Sequence, residues 1–131
     1  MSGDPRYSEE VLRRFREASG AGDLPAGCAA VLGRAGDREQ GAEVLLAFAV
    51  SDGRVTEARF RAFGCPHVMA VASWLTERLK GARRADLENW DWREAAAVLD
   101  IPAAKFGRLL TLQDAVRAAA RNWPGEQRST V

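Results

Sequence analysis

The chain has 131 residues, a length that fits one domain, and 47% of them are hydrophobic, enough for one sizeable core. Nineteen Lys and Arg against eighteen Asp and Glu leave a formal charge of +1; with the two signs interspersed, nucleic acid and anionic membrane are both disfavoured as the main partner. No apolar run approaches the roughly 20 residues that span a bilayer, and the charged start MSGDPRYSEE has no apolar export core, so a soluble cytoplasmic protein with Cys28 and Cys65 as reduced thiols is expected.

Ser8 can cap a first helix, with Glu9 and Glu10 beside the positive end of its dipole and Val11, Leu12 and Phe15 as its apolar face. This helix should stop near Ser19-Gly20. The Gly- and Ala-rich segment up to Gly41 holds one short apolar run, Cys28 to Leu32, read as an edge strand. Glu43 to Val50 places Val44, Leu46, Phe48 and Val50 on one face and smaller residues on the other, as in a strand covered on both sides. Asp52-Gly53 is a tight-hairpin signal. In the return strand RVTEARFRAF, Thr56, Ala58, Phe60 and Ala62 face one way and Glu57, Arg59 and Arg61 face water.

After Gly64 the apolar period becomes helical, with Val68, Val71, Ala72, Leu75 and Leu79 on one stripe, Pro66 at the first helical position and Gly81 as the stop. Asp91 to Glu94 has the spacing of a capping box and opens a short helix through Leu99. A last helix after Pro102 carries Phe106, Leu109, Leu110, Val116 and Ala119 toward Trp123, ahead of a frayed tail, GEQRSTV. Early strands followed by late helices predict an α+β fold: a three-stranded antiparallel sheet packed against four to five helices. The four tryptophans are read as packing residues, and Arg13, Arg14, Arg83 and Arg84 as solvated cations rather than a basic patch.

Cys65 then falls at the N-cap of a helix, where unpaired N–H groups and the dipole favour a thiolate, and His67 can add a nitrogen ligand or a proton acceptor. The corner suits a metal ligand or a sulfur nucleophile. The competing reading makes Cys65 a small buried hydrophobe and His67 a surface residue of the first turn, and the local pattern alone favours it, because one Cys-x-His supplies only half of a structural zinc site.

The order of landmarks adds more. Tyr7 opens the first helix; an ARF-x-x-x-GC corner ends at Cys65; T-E-x-x-K-G runs from Thr76 to Gly81; Pro102 and Lys105 sit in x-P-x-x-K; and D-A-V-x-A-A runs from Asp114 to Ala119. From Tyr7 to Asn122 this resembles the NifU/IscU scaffold domain of iron-sulfur cluster assembly. The resemblance implies a SufE/NifU-like fold, a single domain over residues 1–131 with its core at about 7–122, and a [2Fe-2S] cluster or zinc held at one end with sulfur received from a cysteine desulfurase. It also implies ligand positions that this chain fills unusually. Cys65 matches the family's second cysteine. The first falls on Gln40 and its aspartate on Ala42, while the histidine and third cysteine fall near Gly107 and Arg108. The family's L-P-P-V-K chaperone-recognition segment is I-P-A-A-K here.

One thiolate of three cannot build the usual cluster site in a monomer, and Arg108 would bring a permanent cation to it, where it could pair with a Cys65 thiolate. Cys28 is too far along the chain from Gln40 to be assumed a substitute. Three readings follow: a scaffold-like protein whose 2Fe-2S or zinc binding is weak, absent or partner-dependent; a homodimer in which Cys65 and His67 of each chain make a Cys2His2 set; and a regulatory adaptor that binds a cysteine desulfurase or another assembly protein without handling metal. An enzyme in its own right is disfavoured, since GRAGDREQG lacks the Lys of a phosphate loop and Cys65 has only His67 as a titratable neighbour in sequence.

Overall fold

The computed structural model describes residues 7–27 and 30–124, so Cys28 lies outside the described residues. Three strands, β1 (Ala30–Asp37), β2 (Ala42–Ser51) and β3 (Arg54–Phe63), form one antiparallel sheet in the order β1-β2-β3. Five helices accompany it: α1 (Glu9–Glu17), α2 (Pro66–Arg78), α3 (Arg84–Glu88), α4 (Trp92–Leu99) and α5 (Phe106–Arg121). The expected α+β architecture is therefore present. At the β2–β3 hairpin Asp52 and Gly53 both take positive φ, 54° and 75°, the backbone that lets a two-residue turn follow the twist of its strands.

Register sorts the sheet into two faces. Paired rows Val31/Phe48/Ala58 and Gly33/Leu46/Phe60 look inward and are buried, whereas Leu32/Ala47/Arg59 and Arg34/Leu45/Arg61 look outward. Helix α5 packs on the inward face so closely that a Cβ on Gly33 would run into the Ala115 carbonyl and Ala119. This explains why β1 extends to Asp37 through a glycine-rich stretch, beyond the short run expected from Cys28 to Leu32. Apolar content marks a strand only where side chains do the packing, and here the helix backbone does it.

Other differences have equally local causes. Helices cover one face of β2, not both, and Leu45 and Ala47 are half-buried. Thr56 points outward, because a bulge shifts the register so that Ala49 pairs with Glu57 and Val50 with Val55, leaving Thr56 over with its hydroxyl on the Ala49 carbonyl at 3.2 Å. Val55 takes the inward place. Phe15 and Leu110, read as core, are 42% and 44% exposed. In α1, Arg14 is buried beside the exposed Phe15, bonded to Glu10 and to Glu77 of α2 at 2.9 Å each. Glu94 does not close a capping box; its carboxylate accepts from the Trp90 indole N–H at 2.8 Å and from Arg78, while Asp91 alone caps α4. The short helix α3, held by buried Leu87, had no sequence signal.

Trp74, Trp90 and Trp123 are buried, and Trp92 is half-buried against Phe106, 4.7 Å between ring centroids. The arginines read as solvated are instead mostly paired: Arg13 with Glu10 and Glu17, Arg84 with Glu88.

Two glycine substitutions should separate packing from propensity. Gly33→Ala is expected to cost ~1–3 kcal/mol by overpacking against α5, whereas Gly107→Ala, where a Cβ meets nothing within 4 Å, should be neutral or stabilising. Urea denaturation of the two variants measures both, and a Gly33→Ala protein as stable as the parent would contradict the close approach.

Candidate functional site

The last residue of β3, Phe63, passes through Gly64 into α2 with no connecting loop. A Cβ on Gly64 would sit 3.0 Å from that of Val68, so glycine is what allows the strand to turn straight into the helix. Cys65 is the N-cap in extended backbone (φ −75°, ψ 171°), Pro66 occupies the first helical position, and no side chain caps the free N–H groups. Both positions are as the sequence predicted.

His67 is not. It is 1% exposed, a fully enclosed residue rather than a surface one. The Tyr7 ring lies against it with centroids 4.7 Å apart, Nδ1 faces the Cys65 sulfur at 4.0 Å, and Nε2 is buried with no hydrogen-bond partner. Burial, reinforced by the Lys105 ammonium, holds the imidazole below its ordinary pKa and keeps it neutral near pH 7. An unpaired buried ring nitrogen costs about 1–3 kcal/mol, so this residue is held against its own preference by what encloses it. Nothing in a single Cys-x-His shows that enclosure, because Tyr7 and Lys105, which act on the ring, are remote in sequence.

Two further segments reach the same end of the sheet. Between β1 and β2, Arg38–Gln40 forms a 3-10 turn capped by Asp37, whose carboxylate accepts from the Gln40 N–H at 2.9 Å. The turn closes at Gly41, with φ 96°. From the first turn of α5, Arg108 donates to the Gln40 carbonyl at 2.8 Å, and its guanidinium lies where a Cβ on Gly41 would be. The expected Arg108–Cys65 pair does not form: Arg108 is committed to the Gln40 carbonyl. Ala42 is 2% exposed and part of the core. Lys105 ends the 3-10 turn Ala103–Lys105 that leads into α5, which carries no acidic residue in its first turn.

The donor set can be tested against a metal. Zinc at about 2.3 Å from sulfur and 2.0–2.1 Å from nitrogen places the two atoms ~3.6 Å apart, so Cys65 and Nδ1 of His67 are a small side-chain rotation from sharing an ion. A ligating histidine ordinarily donates its other N–H to an acceptor, which Nε2 lacks here. Among the described residues no group of three or more His, Cys, Asp and Glu is placed to hold a metal. Two donors among the described residues do not fit a closed zinc site or a cluster.

A three-stranded sheet carries helices on one face, with a cysteine corner, a strand-connecting turn and a helix start brought to one end, which defines the class as an α+β domain. The family model for the NifU-like N terminal domain matches residues 6–130, and the chain belongs to that family. It is 29% identical over 119 residues to the iron-sulfur cluster assembly scaffold protein IscU of Rickettsia prowazekii, covering 89% of this chain and 91% of that one. It is 30% identical over 80 residues to the mitochondrial iron sulfur cluster assembly protein 1 of Eremothecium gossypii, covering 61% of this chain and only 52%, about half, of that relative. The N-terminal NifU-like protein of Brucella abortus shares the fold, with a TM-score of 0.65 at 18% identity over 88% of this chain and 92% of that chain.

The state of His67 sets a pH dependence. Its folded pKa is depressed below the ordinary 6.5, so as the pH falls through that value the unfolded chain takes up a proton that the folded chain refuses. Metal-free protein should lose stability between pH 7.5 and 5, and His67→Phe should lose less over the same range. Parallel stability curves for the two proteins would show that His67 is not held neutral.

Proposed function

We propose that the chain serves iron-sulfur cluster assembly as a scaffold-like protein with an incomplete ligand set, and that any 2Fe-2S cluster or zinc it carries is completed by another protein or a second copy. The reading is supported by membership of the family, by relatives named as assembly scaffolds, and above all by the contents of the site. Cys65 is the one sulfur donor there among the described residues, and Arg108 lies on the Gln40–Gly41 turn where another ligand is expected. The donors this chain contributes are Cys65 and, through Nδ1, His67. A cysteine desulfurase is the natural source of sulfur and the first partner to test. A cytoplasmic location would keep Cys65 reduced and available.

A second reading is favoured by one observation. Because Arg108 fills its place with a fixed charge that repels metal ions, the chain suits an adaptor that takes the scaffold's position on a desulfurase or another assembly protein without handling metal. No described helix is long and apolar enough to cross a membrane.

Anaerobic reconstitution with iron and sulfide separates the cases. Wild-type monomer is expected to form no stoichiometric chromophore, and a stable cluster on each chain would overturn the reading. With a desulfurase present, metal that is lost in Cys65→Ala supports the scaffold; desulfurase binding unaffected by Cys65→Ala, with no metal in either protein, supports the adaptor. Replacing Gln40 and Arg108 together by cysteine should raise metal content well above that of the parent.

A further inference from the structure

We propose that a cavity at the far end of α2 is a binding site for a small zwitterionic ligand, a short peptide with both termini free. The cavity measures about 580 Å³, within the range that small-molecule sites occupy. Its walls are the last turn of α2, the turn that follows, α3 and the start of α4. Neither Cys65 nor His67 lines it: α2 begins beside Cys65, and its 13 residues put about 20 Å between the two ends, so the inference does not depend on any metal or cluster.

Backbone contacts hold the cavity in shape. Gly81 takes φ 83° after the helix, and the turn is pinned to β3: Gly81 donates its N–H to the Val55 carbonyl and Val55 donates its own to the Ala82 carbonyl, at 2.8 Å each. Buried Leu79, Ala82 and Trp90 supply the apolar lining. The Glu94 carboxylate accepts from the Trp90 indole N–H and from Nε of Arg78, both at 2.8 Å, which leaves the terminal N–H groups of Arg78 without a partner among the described residues. Lys80 reaches Glu57 only at 3.9 Å, so two cations have donors to spare. The same cavity carries spare acceptors. Asp86 accepts the Arg83 N–H with one carboxylate oxygen and Asn89 donates its amide to the Ala85 carbonyl, leaving the other oxygen of Asp86 and the amide oxygen of Asn89 open to a ligand. A simple anion drawn by Arg78 and Lys80 would meet the carboxylates of Asp86 and Asp91, and a simple cation would meet the two basic groups. A molecule with both a carboxylate and an ammonium group satisfies both sets. A free-ended peptide of about two or three residues supplies that pair in a volume of this size, with side chains for the apolar lining.

The test is an NMR titration of the isotopically labelled full chain, without metal, with the dipeptide Ala-Leu beside its N-acetyl and C-amide forms. Saturable shifts at the Trp90 indole N–H and at the Gly81, Ala82 and Asn89 amides are expected with the free dipeptide, and each block should weaken binding about tenfold. Arg78→Gln should lose most of the preference for a free carboxylate while keeping that for a free amine; Asp86→Asn should do the reverse. No saturable shifts, shifts centred elsewhere, blocked peptides that bind as well as the free one, or variants that weaken all three peptides equally would each overturn the proposal.

Discussion

The arrangement depends on the enclosure of α2. This helix is buried on nearly all sides, with α1, β3 and α5 packed around it. The segment that follows α1 also approaches closely, for Ser73 donates to the Ser19 carbonyl at 2.7 Å and a Cβ on Gly20 would strike the Thr76 hydroxyl. A helix held this way fixes the direction of its first turn, and with it Cys65 and His67. The enclosure also imposes the one unsatisfied buried side-chain nitrogen among the described residues, Nε2 of His67. The same placement packs the ring against Tyr7 and sets Nδ1 beside the Cys65 thiol.

At the same end a fixed guanidinium organises the turn between β1 and β2. Arg108 ties the Asp37–Gly41 turn to α5 through a single carbonyl, and Gly41 leaves room for it. A cation on a side chain is permanently present, so the turn keeps its place whether or not metal is supplied. The same charge lowers the affinity of the neighbourhood for metal ions, which links a structural convenience to a chemical consequence. Lys105 acts in the same sense on His67, disfavouring the charged imidazole.

Much of this was legible in the residues. The Asp52-Gly53 hairpin, the Cys65 cap with Pro66 after it, and the start and end of α4 are set by short-range backbone chemistry, and each stands where the sequence places it. What could not be read depends on contacts remote in sequence. Gly33 looks like a loop residue until α5 is laid across it; Thr56 leaves the inward face only because of a bulge; and Arg14 looks solvated until Glu77 arrives from α2. For the site, the types and spacing of Cys65 and His67 were visible, but the burial of His67 and the commitment of Arg108 to the Gln40 carbonyl were not. Charge type is local; charge partner is not.

One end of the domain therefore holds a thiol beside a buried imidazole, and a fixed cation on the neighbouring turn. Both features direct attention to what binds the protein rather than to what it does alone. The most direct test of the central claim is native mass spectrometry of the chain purified anaerobically from its own cells, with and without an added cysteine desulfurase. The account predicts a single chain at its bare polypeptide mass, with any iron and sulfide found only on assemblies containing a second protein or copy. Iron and sulfide bound to the single chain, and absent from Cys65→Ala, would contradict it.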